Sequence, residues 1–431
     1  MKRRYDRRII GLALPALGAL AADPLITLVD TAFVGRIGTT ELAALGVNAA
    51  IFGLAFFSFN FLAYGVTPLV SQALGRGDTK QAGRVIANGL VAAVALGLLV
   101  VAVLEAAAGP ILDLMGATDD LGREAIGYLR IRGAAAPAVL IITLGHGAFR
   151  GYADTTTPFV VTLGLNIVNL VLDPLLIFGL DWGLTGAAVA TLVAQWVGAG
   201  WFLFLLMRRL GVSFAPSSAR ELLGLLKVGR DIVIRTTALL VTFTVATRVA
   251  TAIGEVQVAA HQIAIQLLIF LALLIDSLAI AAQTLIARFI GEERIGDAWA
   301  LSRRLLELGA IVGLALAVLL VATRSVVPAW FTSEVEVQEA LKGIWLILAL
   351  LQPLAALVYV WDGIVLGAAD FGYLAGAMVV SMAAAVGLMA LVVPLEWGLA
   401  GVWWSFGVLT IVRAVTLGWW HVRPRSALRP V

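Results

Sequence analysis

The run Val91-Ala-Ala-Val-Ala-Leu-Gly-Leu-Leu-Val-Val-Ala-Val-Leu104 is uncharged and apolar from end to end. It sits inside a block, 85–108, that meets the ~20 residues a helix needs to cross a ~30 Å hydrocarbon layer. A membrane-spanning strand would alternate over ~10 residues instead, so the run reads as a transmembrane helix. The rest of the chain repeats the pattern. Blocks bounded by charge, Gly or Pro run over 9–35, 43–74, 85–108, 126–149, 158–180, 185–207, 229–253, 259–289, 306–323, 343–367, 374–394 and 399–420, so twelve spans are expected. Of 431 residues, 61% are hydrophobic and 13% charged, with mean hydropathy +1.00. Soluble domains run ~45–50% apolar and ~25% charged, which excludes a cytosolic enzyme, a nucleic-acid binder and a disordered chain. The absence of Cys excludes a disulfide framework, a thiolate nucleophile and Cys-ligated metal.

The net charge of +3 is explained by where the basic residues fall. Arg36, Arg123, Arg130, Arg132, Arg324 and Lys342 take one side of the membrane, Arg248 and Arg413 lie within spans, and the remainder of the 30 Lys and Arg take the other side. By the positive-inside rule both termini are expected in the cytoplasm of a multi-pass protein of the cell (inner or plasma) membrane. Met1–Arg8 is basic, Ile9–Leu20 is apolar and Ala19-Leu20-Ala21 mimics a cleavage site, as in a signal peptide. The apolar run resumes through Leu25–Val34, so this segment is expected to persist as the first span. The Trp residues, among them Trp182, Trp397, Trp419 and Trp420, read as interface anchors.

The halves repeat. A shift of 216 residues lays Gly38-Thr-Thr-Glu-Leu-Ala-Ala on Gly254-Glu-Val-Gln-Val-Ala-Ala, and Gly151-Tyr-Ala-Asp154 on Gly367-Ala-Ala-Asp370. One residue less lays Trp182-Gly-Leu-Thr-Gly186 on Trp397-Gly-Leu-Ala-Gly401. An even number of spans separates the copies, so they share orientation, as in parallel-repeat transporters. The expected fold is an all-α membrane protein: twelve transmembrane helices in two pseudo-symmetric six-helix lobes around a central cavity. The expected organisation is an N-terminal lobe over 1–212, a cytoplasmic linker over 213–228 with Pro216, Ser217 and Ser218, and a C-terminal lobe over 229–431.

Polar residues inside spans carry the functional information, since a charge at mid-bilayer costs ~2.5–3.5 kcal/mol on the insertion scale and normally faces a cavity. Asp23, Thr27 and Asp30 share one face of the first span, and Thr162, Asn166, Asn169 and Asp173 one face of the fifth. The second span offers Asn60 and Tyr64. In the second half, Thr237, Thr244, Arg248 and Thr251 line the seventh span, Asp276 and Gln283 lie in the eighth, and Gln352, Tyr359 and Asp362 in the tenth. Together these stripes describe one solvated cavity split between the lobes. A single Thr, Asn or Gln also serves as interhelical glue, and Asp23 and Asp173 each precede a proline whose freed backbone they can serve. Arg248 is expected to be the counter-ion of Asp276 or Asp362, and Arg413 to snorkel toward the cytoplasm. His146 and His261 read as packing residues.

Several of these stretches resemble one family. Leu28-Val-Asp-Thr-Ala-Phe-Val-Gly35, Gln72-Ala-Leu-Gly-Arg-Gly-Asp78, Arg150-Gly-Tyr-Ala-Asp-Thr-Thr-Thr-Pro158 and Asn169-Leu-Val-Leu-Asp-Pro-Leu-Leu-Ile-Phe-Gly179 are similar to motifs of MATE (multidrug and toxic compound extrusion) transporters. Asp276-Ser-Leu-Ala-Ile-Ala-Ala-Gln283 and Asp362-Gly-Ile-Val-Leu-Gly-Ala-Ala-Asp370 resemble the DinF-like branch. The resemblance covers the whole chain. It implies a cation-coupled antiporter, no enzyme, that exports amphipathic organic compounds by alternating access, with Asp30, Asp173, Asn169 and Thr191 as its cation-responsive cluster. It implies no cofactor; the coupling ion is H⁺, or Na⁺ held by the same four residues. The substrate cavity is expected to include Asp23, Thr27, Asn60, Tyr64, Asn166, Arg248, Asp276, Gln283 and Asp362. The seventh span carries Arg248 where other branches place a Glu, and Ala153 stands where the loop motif usually has Gly.

Asp30 and Asp173 are expected to exchange a proton, because desolvation and like charge both weigh against two ionised carboxylates. One proton crossing 100 mV supplies ~2.3 kcal/mol, enough for efflux without ATP, and no phosphate-binding Gly-x-x-x-x-Gly-Lys-Ser/Thr loop occurs. The partners expected are a small organic substrate and the lipid bilayer, with no nucleic acid and a monomeric chain. Arg248 and Arg413 leave room for an organic-anion exporter or a lipid flippase of the same superfamily. A membrane-embedded metal-dependent enzyme is the remote alternative, lacking any His-Glu-x-x-His motif, and a major-facilitator loop after the second span is missing.

Overall fold

The computed structural model describes residues 2–211, 219–423 and 427–428. The helices are α1 (Lys2–Val34), α2 (Thr39–Phe57), α3 (Phe61–Gly75), α4 (Thr79–Leu114), α5 (Asp119–Gly133), α6 (Ala136–Gly151), α7 (Thr156–Pro174), α8 (Gly183–Leu210), α9 (Ala219–Ile253), α10 (Glu255–Gly291), α11 (Ile295–Thr323), α12 (Val327–Phe331), α13 (Val335–Gly367), α14 (Phe371–Val392) and α15 (Gly398–Val422). Among the described residues, eleven helices are long and apolar enough to cross a membrane, and α5 with α6 supplies a twelfth. The expected span 126–149 falls on this pair, which is broken by a 49° bend where Ala134 and Ala135 join the two helices. The run that opened the reading lies in the middle of α4 and leaves Val91, Leu98, Leu99 and Val103 exposed, as a lipid-facing surface requires.

The chain forms two compact units, Leu14–Gly229 and Met1–Ala13 with Arg230–Val431. The first thirteen residues therefore group with the second half of the chain. In that unit Asp6 takes two hydrogen bonds from Arg304, at 2.7 and 2.9 Å, and Tyr5 Oη donates to Asp297. The expected linker 213–228 changes as well. Pro216, Ser217 and Ser218 lie outside the described residues, while from Ala219 the chain is already helical. Glu221 of that first turn receives Asn88 Nδ2 at 3.3 Å and pairs with Arg84.

Each unit has its own apolar core. In the N-terminal unit Ala44, Phe52, Leu104, Leu129, Ile177 and Ala188 pack α2, α4, α5, α8 and the turn after α7 together. In the C-terminal unit Ala246, Leu341, Trp345, Leu348, Met389 and Trp403 do the same for α9, α13, α14 and α15. Trp345, Trp403 and Trp420 are fully buried, so the interface-anchor reading fails for Trp420, whose indole N–H donates to Asp370 at 2.7 Å. Trp182, Trp397 and Trp419 are exposed.

The repeat is written in the backbone. Ala153 and Ala369 both adopt φ +59°, Gly77 and Glu293 pair at +77° and +58°, and Asp181 and Glu396 at +55° and +53°. Asp154 and Asp370 each accept the amide N–H three residues on, at 2.9 and 3.3 Å, capping the next helix. A Cβ on Gly147 would strike the backbone of Ala63, and a Cβ on Gly363 that of Ala279, 216 residues later. Close helix approach at these two points needs a residue without a side chain. The one-residue change of register also has a structural cause. After Pro174 the chain makes a π-helical turn, Leu175–Gly179, with Leu180 N donating to Leu175 O at 2.9 Å. Such a turn holds one more residue than an α-turn, which absorbs the drop from 216 to 215.

Candidate functional site

Within the N-terminal unit a cavity of about 420 Å³ opens among α1, α3, α5, α6, α7 and α8. Asp23, Thr27 and Asp30 line it from α1, Asn60 and Tyr64 from the α3 entry, Thr162, Asn166 and Asn169 from α7, and Thr191 and Gln195 from α8. Eight of the thirteen expected site residues thus line one chamber. Asp173, buried at 1% exposure, lies behind the wall with its carboxyl group against that of Asp30.

Local sequence explains the arrangement. Pro24 has no amide N–H, so the Leu20 carbonyl at the cavity wall loses its helical donor. Thr27 Oγ1 donates to Asp23 O at 2.9 Å and Thr31 Oγ1 to Thr27 O at 2.7 Å, which turns both hydroxyls back onto the helix. α1 meets α7 where Gly18 faces the Phe159 ring and where Asp30 faces Asp173, while Leu25 and Leu28 on its other side are exposed. On α7, Pro174 ends the regular helix one residue after Asp173.

The polar balance of the site is open. Asp30 Oδ1, both oxygens of Asp173, and the amide nitrogens of Asn166 and Asn169 are buried without a hydrogen-bond partner in bonding geometry. As two carboxylates, Asp30 and Asp173 have no donor to offer each other; with one proton between them they have a hydrogen bond. Asn166 adjoins Asp23. His146 bonds Thr162 Oγ1 through Nε2 at 3.0 Å and lies at the cavity edge.

Two arginines belong to this cavity although the sequence reading assigned them to the two faces of the membrane and not to the site. Arg132, near the end of α5, lies over the Phe52 ring at 4.7 Å, faces the charge of Asp30 and lines the chamber. Arg150 lines it from the end of α6 and is buried. The signal for Arg132 was the run Tyr128-Leu-Arg-Ile-Arg132, in which Arg130 and Arg132 fall on different helical faces; Arg130 pairs with Glu105 at 3.2 Å and is half exposed.

The remaining expected site residues, Arg248, Asp276, Gln283 and Asp362, belong to the C-terminal unit and do not line this chamber. Arg248 is exposed on α9 along with Thr237, Thr244 and Thr251, and it is not the counter-ion of Asp362. That role falls to Arg235 of α9, at 2.7 Å, and to Arg413 of α15, both bound to Asp362 Oδ2. Arg413 is buried and ion-paired, so it does not snorkel. Tyr359 and Asp276 lie beside this cluster, and Gln283 is buried on α10. His261 is buried against Trp403 and Phe406, a packing position.

The MatE family model matches the chain twice, over residues 15–175 and 232–392, one match in each half. Among curated relatives, Protein DETOXIFICATION 44, chloroplastic, of Arabidopsis thaliana is 36% identical over 96% of this chain and 82% of its own length. DNA damage-inducible protein F of Escherichia coli is 28% identical over 96% and 91%. A solved outward-facing multidrug resistance MATE family transporter of the MOP superfamily has the same fold, with TM-score 0.88 at 21% identity over 97% and 95% of the two chains. Two family matches, one in each half, on a helical membrane fold leave one conclusion: the chain belongs to the MatE family of multidrug efflux transporters.

Proposed function

We propose that this protein is a proton-coupled antiporter that exports amphipathic organic cations by alternating access, in a cell membrane with both termini in the cytoplasm. The observation that carries this reading is the Asp30–Asp173 carboxyl contact at the wall of a polar chamber inside the membrane. Taking up one proton there adds a hydrogen bond and removes a negative charge, so the proton and a cationic cargo compete for the same carboxylates. Asn169 and Thr191 are within the same chamber and supply polar groups to whichever species is bound. α1 is the element that responds, since it carries Asp23 and Asp30 and contains Pro15 and Pro24, each of which removes a helical hydrogen bond.

The test is cargo transport into inverted proteoliposomes under an imposed pH gradient, with a sodium gradient as the second arm. Asp30→Asn removes the titrating group while keeping its shape, and pH-driven transport should fall to that of empty vesicles. Undiminished transport, or transport driven by sodium alone, breaks the assignment.

A second reading has its own observation. Arg132 offers a guanidinium to the chamber with no carboxylate in ion-pair contact among the described residues, which favours an organic anion as cargo. Uptake of a panel of fluorescent cations and anions separates the two.

A further inference from the structure

A second, apolar opening adjoins the chamber. Gly18, Ala22 and Val29 of α1 face Leu163, Ile167 and Leu170 of α7 across a groove of about 380 Å³. The α1 residues recur at helical spacing along one face, and the groove runs for eleven residues, about 16 Å at a rise of ~1.5 Å per residue. That is about half of a ~30 Å hydrocarbon layer, the reach of a chain from one leaflet. Leu163, Ile167 and Leu170 are exposed, so the groove opens outward to lipid. A Cβ on Gly18 would strike the Phe159 ring, and at that point α1 and α7 meet.

Two residues, Ile26 and Asn166, line both the groove and the polar chamber. The wall between a polar chamber and a lipid-facing slot is therefore one side chain thick, with Ile26 on α1 and Asn166 on α7. Asp23 lies beside Asn166 on the chamber side of that wall. A molecule with a charged head and one apolar chain matches both spaces at once, with its head at Asp23 and its tail against Ala22 and Ile167.

We propose that the α1–α7 groove is a tail-binding subsite through which a single-chain cationic amphiphile enters the chamber from the bilayer. The sign of the head rests on the antiport reading above; the groove itself does not.

The probe is a dodecyltrimethylammonium analogue with a diazirine on its tail, irradiated with the full-length protein in proteoliposomes and mapped by mass spectrometry. Adducts on α1 and α7 around Ala22 and Ile167 should disappear with excess unlabelled dodecyltrimethylammonium, whereas adducts at Leu98 on the lipid face of α4 should persist. Ala22→Phe fills the groove, and Ile167→Trp adds bulk only at its exposed lip, so at least one variant keeps its fold; either should cut groove adducts severalfold and spare those at Leu98. Groove adducts that resist competition mean ordinary lipid contact and overturn the subsite. Equal competition by dodecyl sulfate overturns the cationic head. Transport of a tail-less quaternary ammonium by the wild type, run in parallel, tests the antiport reading separately, because its loss leaves the competition result standing.

Discussion

The two halves of this chain place the polar and charged residues of their spans at different positions of one shared frame. In the N-terminal unit Asp23, Thr27, Asp30, Arg132, Asn166, Asn169 and Asp173 are polar; 216 residues on stand Leu239, Phe243, Ala246, Leu348, Met382, Ala385 and Met389, all within or against the apolar core of the C-terminal unit. The converse holds too. Arg235, Asp276, Tyr359 and Asp362 answer to Ala19, Asn60, Thr143 and His146, four residues that line the open chamber. The second half has closed with an ion cluster the position where the first half keeps a cavity. A carboxylate gripped by two guanidinium groups has no electrostatic reason to release its charge. In the first half, Asp30 Oδ1 and both oxygens of Asp173 have no hydrogen-bond partner in bonding geometry. Duplicated folds can thus diverge, one copy keeping an open polar chamber and the other pairing its charges in place.

The largest expected break in that contrast comes from Asp362→Asn. It strands Arg235 and Arg413 in the membrane interior, and loss of one partner of a buried pair costs about 3–5 kcal/mol. Thermal unfolding of the purified protein should show a fall of that order, while Asp30→Asn, which relieves like-charge contact, should leave stability within about 1 kcal/mol of wild type. If both variants melt alike, the division fails. Next come the matched contacts: Gly147→Ala and Gly363→Ala each drive a methyl group into backbone and should destabilise by about 1–3 kcal/mol, measured in the same assay. Similar losses at both positions confirm a common frame; a loss at only one would mean the halves pack differently. Arg132→Gln should leave stability nearly unchanged yet shift the preference between cationic and anionic cargo about tenfold, which corresponds to about 1.4 kcal/mol. Competition binding with both cargo types reads this out. Smallest are Ala153→Gly and Ala369→Gly, which relieve left-handed backbone at equivalent turns and should each add up to about 1 kcal/mol, seen as equal small rises in melting temperature.

Legibility in the sequence followed the range of the interaction. Asp23, Thr27 and Asp30 were readable as one face because helical spacing is local, and so was the Asn166–Asn169–Asp173 stripe of α7. The capping Asp154 and Asp370 were recognisable from the repeated motif. Arg132 and Arg150 were not readable as cavity residues, because both sit at helix ends where a loop reading looks identical until the helices are packed. Arg235 was counted with the cytoplasmic cations for the same reason, although it lies more than four turns inside α9 and reaches Asp362, 127 residues away. The bend between α5 and α6 was also hidden: Gly133 and Pro137 flank it, but Gly127, Gly145 and Gly147 stand in the same block without a break.

What the amino-acid order alone determined was the membrane, the number of crossings, the duplication and which polar residues share a helix face. All of these are consequences of transfer energies and of period along a single helix. Partner choice is otherwise a matter of three-dimensional packing: that Asp362 is held by Arg235 and Arg413 while Arg248 stays exposed, that Arg132 and Arg150 reach the chamber, and that Ile26 and Asn166 separate a polar chamber from a lipid-facing groove. Those pairings join residues on different helices, and only the docking of one helix on another brings the charges within reach.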